Sequence, residues 1–216
     1  MVNTLITSNQ PFVVVQMHYG DVYHVAWADD RYDFYNVGAS GFPWFAYDGL
    51  FDAWPINTYA SKLDQRQAVT TDVTIEQWAI ETGTDTYDVT ARVCVEPGGV
   101  GKTMDVFMVQ VLDKFPTSEA YYRNCLMQGA DSQQIVVASG ACETVTNTFT
   151  LGPDSTAHPD DVRMISWAQT PAVSSPAEVH QADEMAWPFN APPPDNTIFD
   201  DDFESGDTSS WSSVTP

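Results

Sequence analysis

A chain of 216 residues with 30 Asp and Glu against 8 Lys and Arg, a formal charge of −22, has too few cations to displace the counterions of a nucleic acid or to settle on an anionic membrane. A hydrophobic content of 43% is enough for a buried core, so the charge belongs to the surface and keeps the folded chain in solution. No apolar run reaches the length of a membrane-spanning helix, and Met1-Val2-Asn3-Thr4-Leu5-Ile6 lacks the basic region and long apolar stretch of a signal peptide.

In chain order, residues 4–8 read as the end of a helix and residues 12–18 as a strand. The continuous apolar start of that strand, Phe12-Val13-Val14-Val15, suits a buried parallel position. Residues 22–35 mix helical and loop signals. Residues 43–47 read as a second strand, Asp48-Gly49 as a tight turn, and Leu50-Phe51 as its antiparallel return. A helix is expected over 55–67, with Pro55 at its first position and Ile56, Tyr59, Ala60 and Leu63 at helical spacing. These elements make a first unit, residues 1–68.

From residue 69 the period changes to two. Val69, Thr71, Val73 and Ile75 alternate, as do Tyr87, Val89, Ala91, Val93 and Val95. Runs over 106–112, 135–138, 145–151 and 162–167 continue the pattern. So many short alternating segments point to an all-β second unit, residues 69–169, built as an immunoglobulin-like β-sandwich. Pro97-Gly98-Gly99 and Gly152-Pro153-Asp154 mark turns. Gly101-Lys102-Thr103 lacks the leading glycine and the following helix of a phosphate loop, so it too reads as a turn. Residues 170–197 read as a proline-rich linker with a short helix over 178–187, and residues 198–216 as an acidic tail.

The three cysteines, Cys94, Cys125 and Cys142, form no Cys-x-x-Cys. Cys125 with Cys142 is the expected disulfide because both flank one segment, and Cys94 with Cys125 is the competitor. Either leaves one thiol over. A loop of that size contributes about 3 kcal/mol on the chain-entropy account.

Candidate ligand sets are sparse. His18 and His24, with Asp21 between them, offer imidazole and carboxylate for zinc or copper, but at no recognised spacing, so a structural or surface role is the simpler reading. Asp200, Asp202, Glu204 and Asp207 supply oxygens for calcium as a possible cofactor, though no EF-hand glycine or flanking helices accompany them. Among so many acids chance carboxylate pairs such as Asp29-Asp30 and Asp160-Asp161 are expected, and no residue is assigned a catalytic role. Trp44, Phe45, Tyr47, Phe51 and Trp54 crowd the Asp48-Gly49 turn with Pro43. Either they pack the first unit against the second or they line a groove for a peptide or another chain.

Arg31-Tyr32-Asp33-Phe34-Tyr35-Asn36-Val37, then Gly41-Phe42-Pro43 and Tyr47-Asp48-Gly49, resemble the thioredoxin-like domains of exported bacterial proteins, closest in style to the Omp28-related outer-membrane group. The resemblance implies a partial thioredoxin-like unit followed by a β-sandwich. It places Pro43 where such domains carry a cis proline facing the redox pair, and His18 at the end of the preceding strand. In that family a strand and a Cys-bearing helix come before the strand matched by residues 12–18. Here only Met1 to Pro11 precede it, without a cysteine, so the thiolate needed for disulfide exchange at Pro43 is missing. The segment from Phe199 to Trp211 is similar to Phe-Glu-Ser-Gly-Asp-x-Ser-x-Trp tails of secreted proteins. Together these imply a non-catalytic structural or surface protein, extracellular or attached to the outer membrane, with the periplasm as the alternative location. It would act by homo-oligomeric self-assembly or by binding another exported protein. A fragment of a thiol–disulfide oxidoreductase with its cysteines upstream, or a calcium-dependent binding module, are the alternatives.

Overall fold

The computed structural model describes residues 12–39, 44–51, 59–116 and 122–193. Its largest part is two antiparallel sheets with a common core. Strands β3 (Val73–Gly83), β4 (Thr86–Val95) and β8 (Cys142–Thr150) form a three-stranded sheet in the order β3-β4-β8. The five-stranded sheet runs β10 (Val179–Ala186), β9 (Val162–Gln169), β5 (Lys102–Leu112) and β6 (Cys125–Gly129). β7 (Gln133–Val137) shares the far edge of β5 with β6, β7 opposite its first half and β6 opposite its second.

The alternation in β4 shows how the sequence builds the core. Tyr87, Val89, Ala91, Val93 and Val95 are buried between the sheets, while Thr86, Asp88, Thr90, Arg92 and Cys94 occupy the outer face. Facing them from β5 are Met104, Val106, Met108 and Leu112, with Phe149 and Met164 alongside.

β5 does not alternate in burial near its end, because both of its faces are covered. Val109 and Val111 point away from the first core into a second cluster with Leu126, Ile165, Trp167 and Ala28. That cluster is closed by Val13, Val15, Met17, Trp27 and Tyr32. The amino-terminal stretch therefore lies as a layer on the outer face of the five-stranded sheet. The apolar stretch of β5 from Val106 to Leu112, interrupted only by the buried Gln110, is the signature of a strand buried on both sides.

Residues 12–18 do not form the expected buried parallel strand. They make an isolated parallel bridge, Gln16 to Cys125, in which the Gln16 N–H donates to Asn124 O at 2.9 Å and the Leu126 N–H to Gln16 O at 2.9 Å. The apolar side chains satisfy themselves against the sheet face, so no ladder is needed to bury them.

The helix Trp27–Tyr35 sits on the same face, held by Arg31. This arginine is 5% exposed, with its guanidinium 4.4 Å from the Phe34 ring centre and 4.6 Å from that of Phe107. It donates to Gln169 Oε1 and to the Tyr35 hydroxyl, each at 3.0 Å. Asn36 ends the helix in the left-handed conformation (φ 52°), and Val37 turns back into the interior. The Arg-x-x-x-Tyr-x-Val pattern is thus a helix terminus anchored through its first residue.

The Asp48-Gly49 turn connects β1 (Ala46–Tyr47) and β2 (Leu50–Phe51) as expected. Asp48 (φ 47°) and Gly49 (φ 71°) both have positive φ, as a two-residue hairpin of this kind requires. Gly49 also approaches Ala177 so closely that a Cβ would lie 1.8 Å from its carbonyl oxygen. A helix follows at Tyr59–Gln67, inside the expected 55–67.

Two further expectations are corrected. The stretch read as a linker with a short helix contains β10, paired with β9 from Val179 to Ala186. The prolines bracket this strand at Pro176 and Pro188 and do not interrupt it. The disulfide joins Cys94 to Cys142, not Cys125 to Cys142. Cys94 and Cys142 stand directly opposite in the β4–β8 ladder, whereas Cys125 belongs to β6 in the other sheet, fully buried and unpaired. Pairing follows strand neighbours, and the sequence reading assigns no strand to residues 125–129, where β6 lies.

Candidate functional site

Where the amino-terminal layer meets the start of β10, a cleft of about 640 Å³ opens. One wall is the hairpin, with Phe45 and Tyr47; another is the helix Tyr59–Gln67, with Leu63 and Arg66. The extended Phe12-Val13-Val14 stretch and the beginning of β10 complete it. The hairpin is seated on β10 by main-chain bonds: the Val179 N–H donates to Asp48 O at 2.8 Å and the Ala177 N–H to Gly49 O at 3.2 Å.

The charged groups of the cleft are tied together. Arg66 Nε donates to Asp48 Oδ2 and its terminal nitrogen to Glu178 Oε1, both at 2.9 Å, so one guanidinium clasps the helix, the hairpin and the approach to β10. Lys102 Nζ lies 2.6 and 2.7 Å from the two Asp72 oxygens. The Lys102 hydrogen bonds, with a further one from the Val100 N–H, hold the Asp72 carboxyl down at about 2. His180 is half-buried and its Nε2 lies 3.1 Å from the Thr170 hydroxyl. Burial, with the Lys102 charge in support and Glu178 opposing, pulls its pKa below the ordinary value.

The aromatic residues singled out in the sequence divide. Phe45 packs on Tyr59 with ring centres 4.2 Å apart, and Tyr47 approaches the same ring at 6.0 Å. Trp44 rests on Tyr35 at 4.9 Å, on the other side. Phe51 takes part in β2, and Pro43 and Trp54 lie outside the described residues. The histidines are not brought together as a ligand set. His18 donates through Nδ1 to Asp21 Oδ2 and His24 through Nε2 to Asp29 Oδ1, each at 2.8 Å. Among the described residues no group of three or more His, Cys, Asp or Glu is arranged to hold a metal ion. Asp200, Asp202, Glu204 and Asp207 lie outside the described residues.

Cys125 is not a reactive thiol at neutral pH. Burial, and secondarily the Asp21 charge, pushes it up to about 12. Arg66, Asp72, Lys102, Glu178 and His180 escaped the sequence reading. The scarcity of cations was the available signal, since each of the 8 is conspicuous in a chain with 30 acids.

The fold is a mixed helix-and-hairpin region laid on a larger antiparallel β unit. No family model and no curated protein matches the chain. Among solved structures it is similar to HBP35 of Porphyromonas gingivalis, with 13% identity, 83% of this chain and 64% of that one covered, and a TM-score of 0.60. The chain thus spans 64% of that protein's length, and the likeness is one of fold. A domain of the outer membrane lipoprotein Omp28 from Porphyromonas gingivalis also aligns, with 13% identity over 54% of this chain and 88% of that one, at a TM-score of 0.38.

Proposed function

We propose that this is an exported protein with a structural or surface role, which works without catalysis by seating a second copy of itself, or a segment of another exported protein, in the cleft. The observation that carries the reading is the cleft's make-up. Its walls carry the apolar side chains of Phe12, Val13, Val14, Phe45 and Leu63, while Arg66, Lys102 and their carboxylate partners are engaged with one another and the His180 ring with the Thr170 hydroxyl. The Cys94–Cys142 disulfide supports an oxidising compartment, hence export to the cell surface or beyond. In the same reading residues 69–169, continued through β10, are an immunoglobulin-like β-sandwich, and residues 1–68 are a thioredoxin-like remnant that serves as a platform.

Val69 tests this, because it lines the cleft and is 48% exposed, so a charge there disturbs the surface and not the core. By sedimentation equilibrium the wild-type mass should rise above 23.9 kDa with concentration, while Val69→Glu stays at the monomer value. A wild-type chain that remains monomeric at every concentration and salt overturns self-assembly.

A further inference from the structure

We propose that the Cys94–Cys142 disulfide is a surface site of thiol–disulfide exchange, opened and closed by a neutral or cationic thiol while the protein stays folded. Cys142 is exposed and Cys94 partly so, both on the outer face of the three-stranded sheet. Neither belongs to the core between the sheets. An attacking thiolate therefore reaches the bond without displacing a packed side chain.

The bond is also dispensable for register. The two residues sit opposite each other with Cα atoms 4.0 Å apart, at a non-hydrogen-bonded position of the ladder. On one side the pairing runs from Val93 opposite Glu143 to Thr86 opposite Thr150. On the other side the Val95 N–H donates to Ala141 O at 3.0 Å and the Gly140 N–H to Val95 O at 2.9 Å. Main-chain bonds thus lie beyond the disulfide in both directions. When it opens, the two sulfurs stay neighbours and the reaction is reversible.

The step balances with an external thiol as the reductant. A thiolate RS⁻ attacks Cys142 Sγ, the S–S bond breaks, and its electron pair leaves on Cys94 Sγ, which takes a proton from water. A second RS⁻ attacks the R-bearing sulfur of the mixed disulfide, releasing RSSR and the Cys142 thiolate. Two thiols are oxidised and one protein disulfide is reduced; RSSR drives the reverse. Cys125 stays out of the exchange, because it is buried in the other sheet.

Charge selects the thiol. Glu96 and Glu143 are exposed within two residues of the cysteines, and the nearby Arg92 is engaged by Glu76. With −22 on the whole chain, an anionic thiol approaches against the field and a cationic one with it.

The native 216-residue chain is incubated with cysteamine, 2-mercaptoethanol or mercaptoethanesulfonate at equal thiolate concentration, then alkylated and mapped by mass spectrometry, with circular dichroism in parallel. The expected result is label on Cys94 and Cys142, none on Cys125, and an unchanged spectrum. Cysteamine should react several-fold faster than the sulfonate at low salt, the gap closing at high salt. Labelling that begins only as the spectrum collapses, or that reaches Cys125 at the same time, overturns the proposal. Equal rates for the three thiols at low salt overturn the charge selection. A Cys94→Ala, Cys142→Ala double variant should fold with the wild-type spectrum; if it does not fold, the disulfide is a structural lock and the proposal fails.

Discussion

Lys102 reaches from the first residue of β5 to Asp72, and the pair sets how one corner of the cleft responds to acid. The Asp72 carboxyl is held at about 2 against an ordinary 3.8, so as pH falls the unfolded chain takes up that proton first. The stabilisation is complete above 3.8 and is lost as pH falls toward about 2. Asp72→Asn should melt below wild type at neutral pH and converge with it at the acid end of a thermal scan. His180 works in a higher window. Its folded pKa lies below 6.5, so the unfolded state protonates first there as well, and stability that is whole above 6.5 declines as pH drops beneath it. His180→Gln should lose less stability than wild type between about pH 7.5 and about pH 5, read from urea midpoints. The sequence hid these roles for a physical reason. Lys102 stands in a Gly-Lys-Thr string that reads as a turn, and its partner comes from thirty residues earlier, brought near only because β3 and β5 begin at the same end of the two sheets.

At the scale of elements, the seat of the amino-terminal layer is narrow. The Trp27 indole lies flat on Gly129 of β6, where a Cβ would sit 2.4 Å from the ring, and its Nε1 donates to Ala130 O at 2.9 Å. Gly129→Ala must push the indole off and should cost about 1–3 kcal/mol by denaturant unfolding. Gly38→Ala, with nothing within 4 Å of the added carbon, should be near neutral. Several strands of the two sheets, β4 above all, were legible because their apolar residues alternate and turn residues punctuate them, and the hairpin because Asp-Gly can adopt positive φ at both positions. The apolar run 12–18 misled because a segment buried flat against a sheet and a strand buried within one carry the same composition. β10 misled for the opposite reason: with His180, Gln181, Asp183 and Glu184 it is too polar to announce itself, yet Gln77 Nε2 donates to Asp183 Oδ2 at 3.1 Å and satisfies that polarity inside the fold.

For the molecule as a whole, the net charge governs how copies meet. Association through the cleft must work against repulsion between chains carrying −22 each, so added salt should strengthen it, with masses rising between about 0.02 M and about 0.5 M salt, opposite to a contact made by ion pairs. The candidate site as a cleft was not readable in advance, because its walls come from residues 12–14, 45–48, 59–72, 102 and 178–182, and only folding assembles them. The five-stranded sheet that backs it is covered on both faces, and this has a consequence for how the chain is made. Met17, Trp27 and Tyr32 leave the ribosome well before the surface that receives them, which is unfinished until Ile165, Trp167 and Ala182 have been synthesised. At ordinary elongation rates that is a delay of roughly 10–30 s. During it the segment carrying Met17, Trp27 and Tyr32 has no surface of its own to bury against, which makes it a natural client for a holding chaperone.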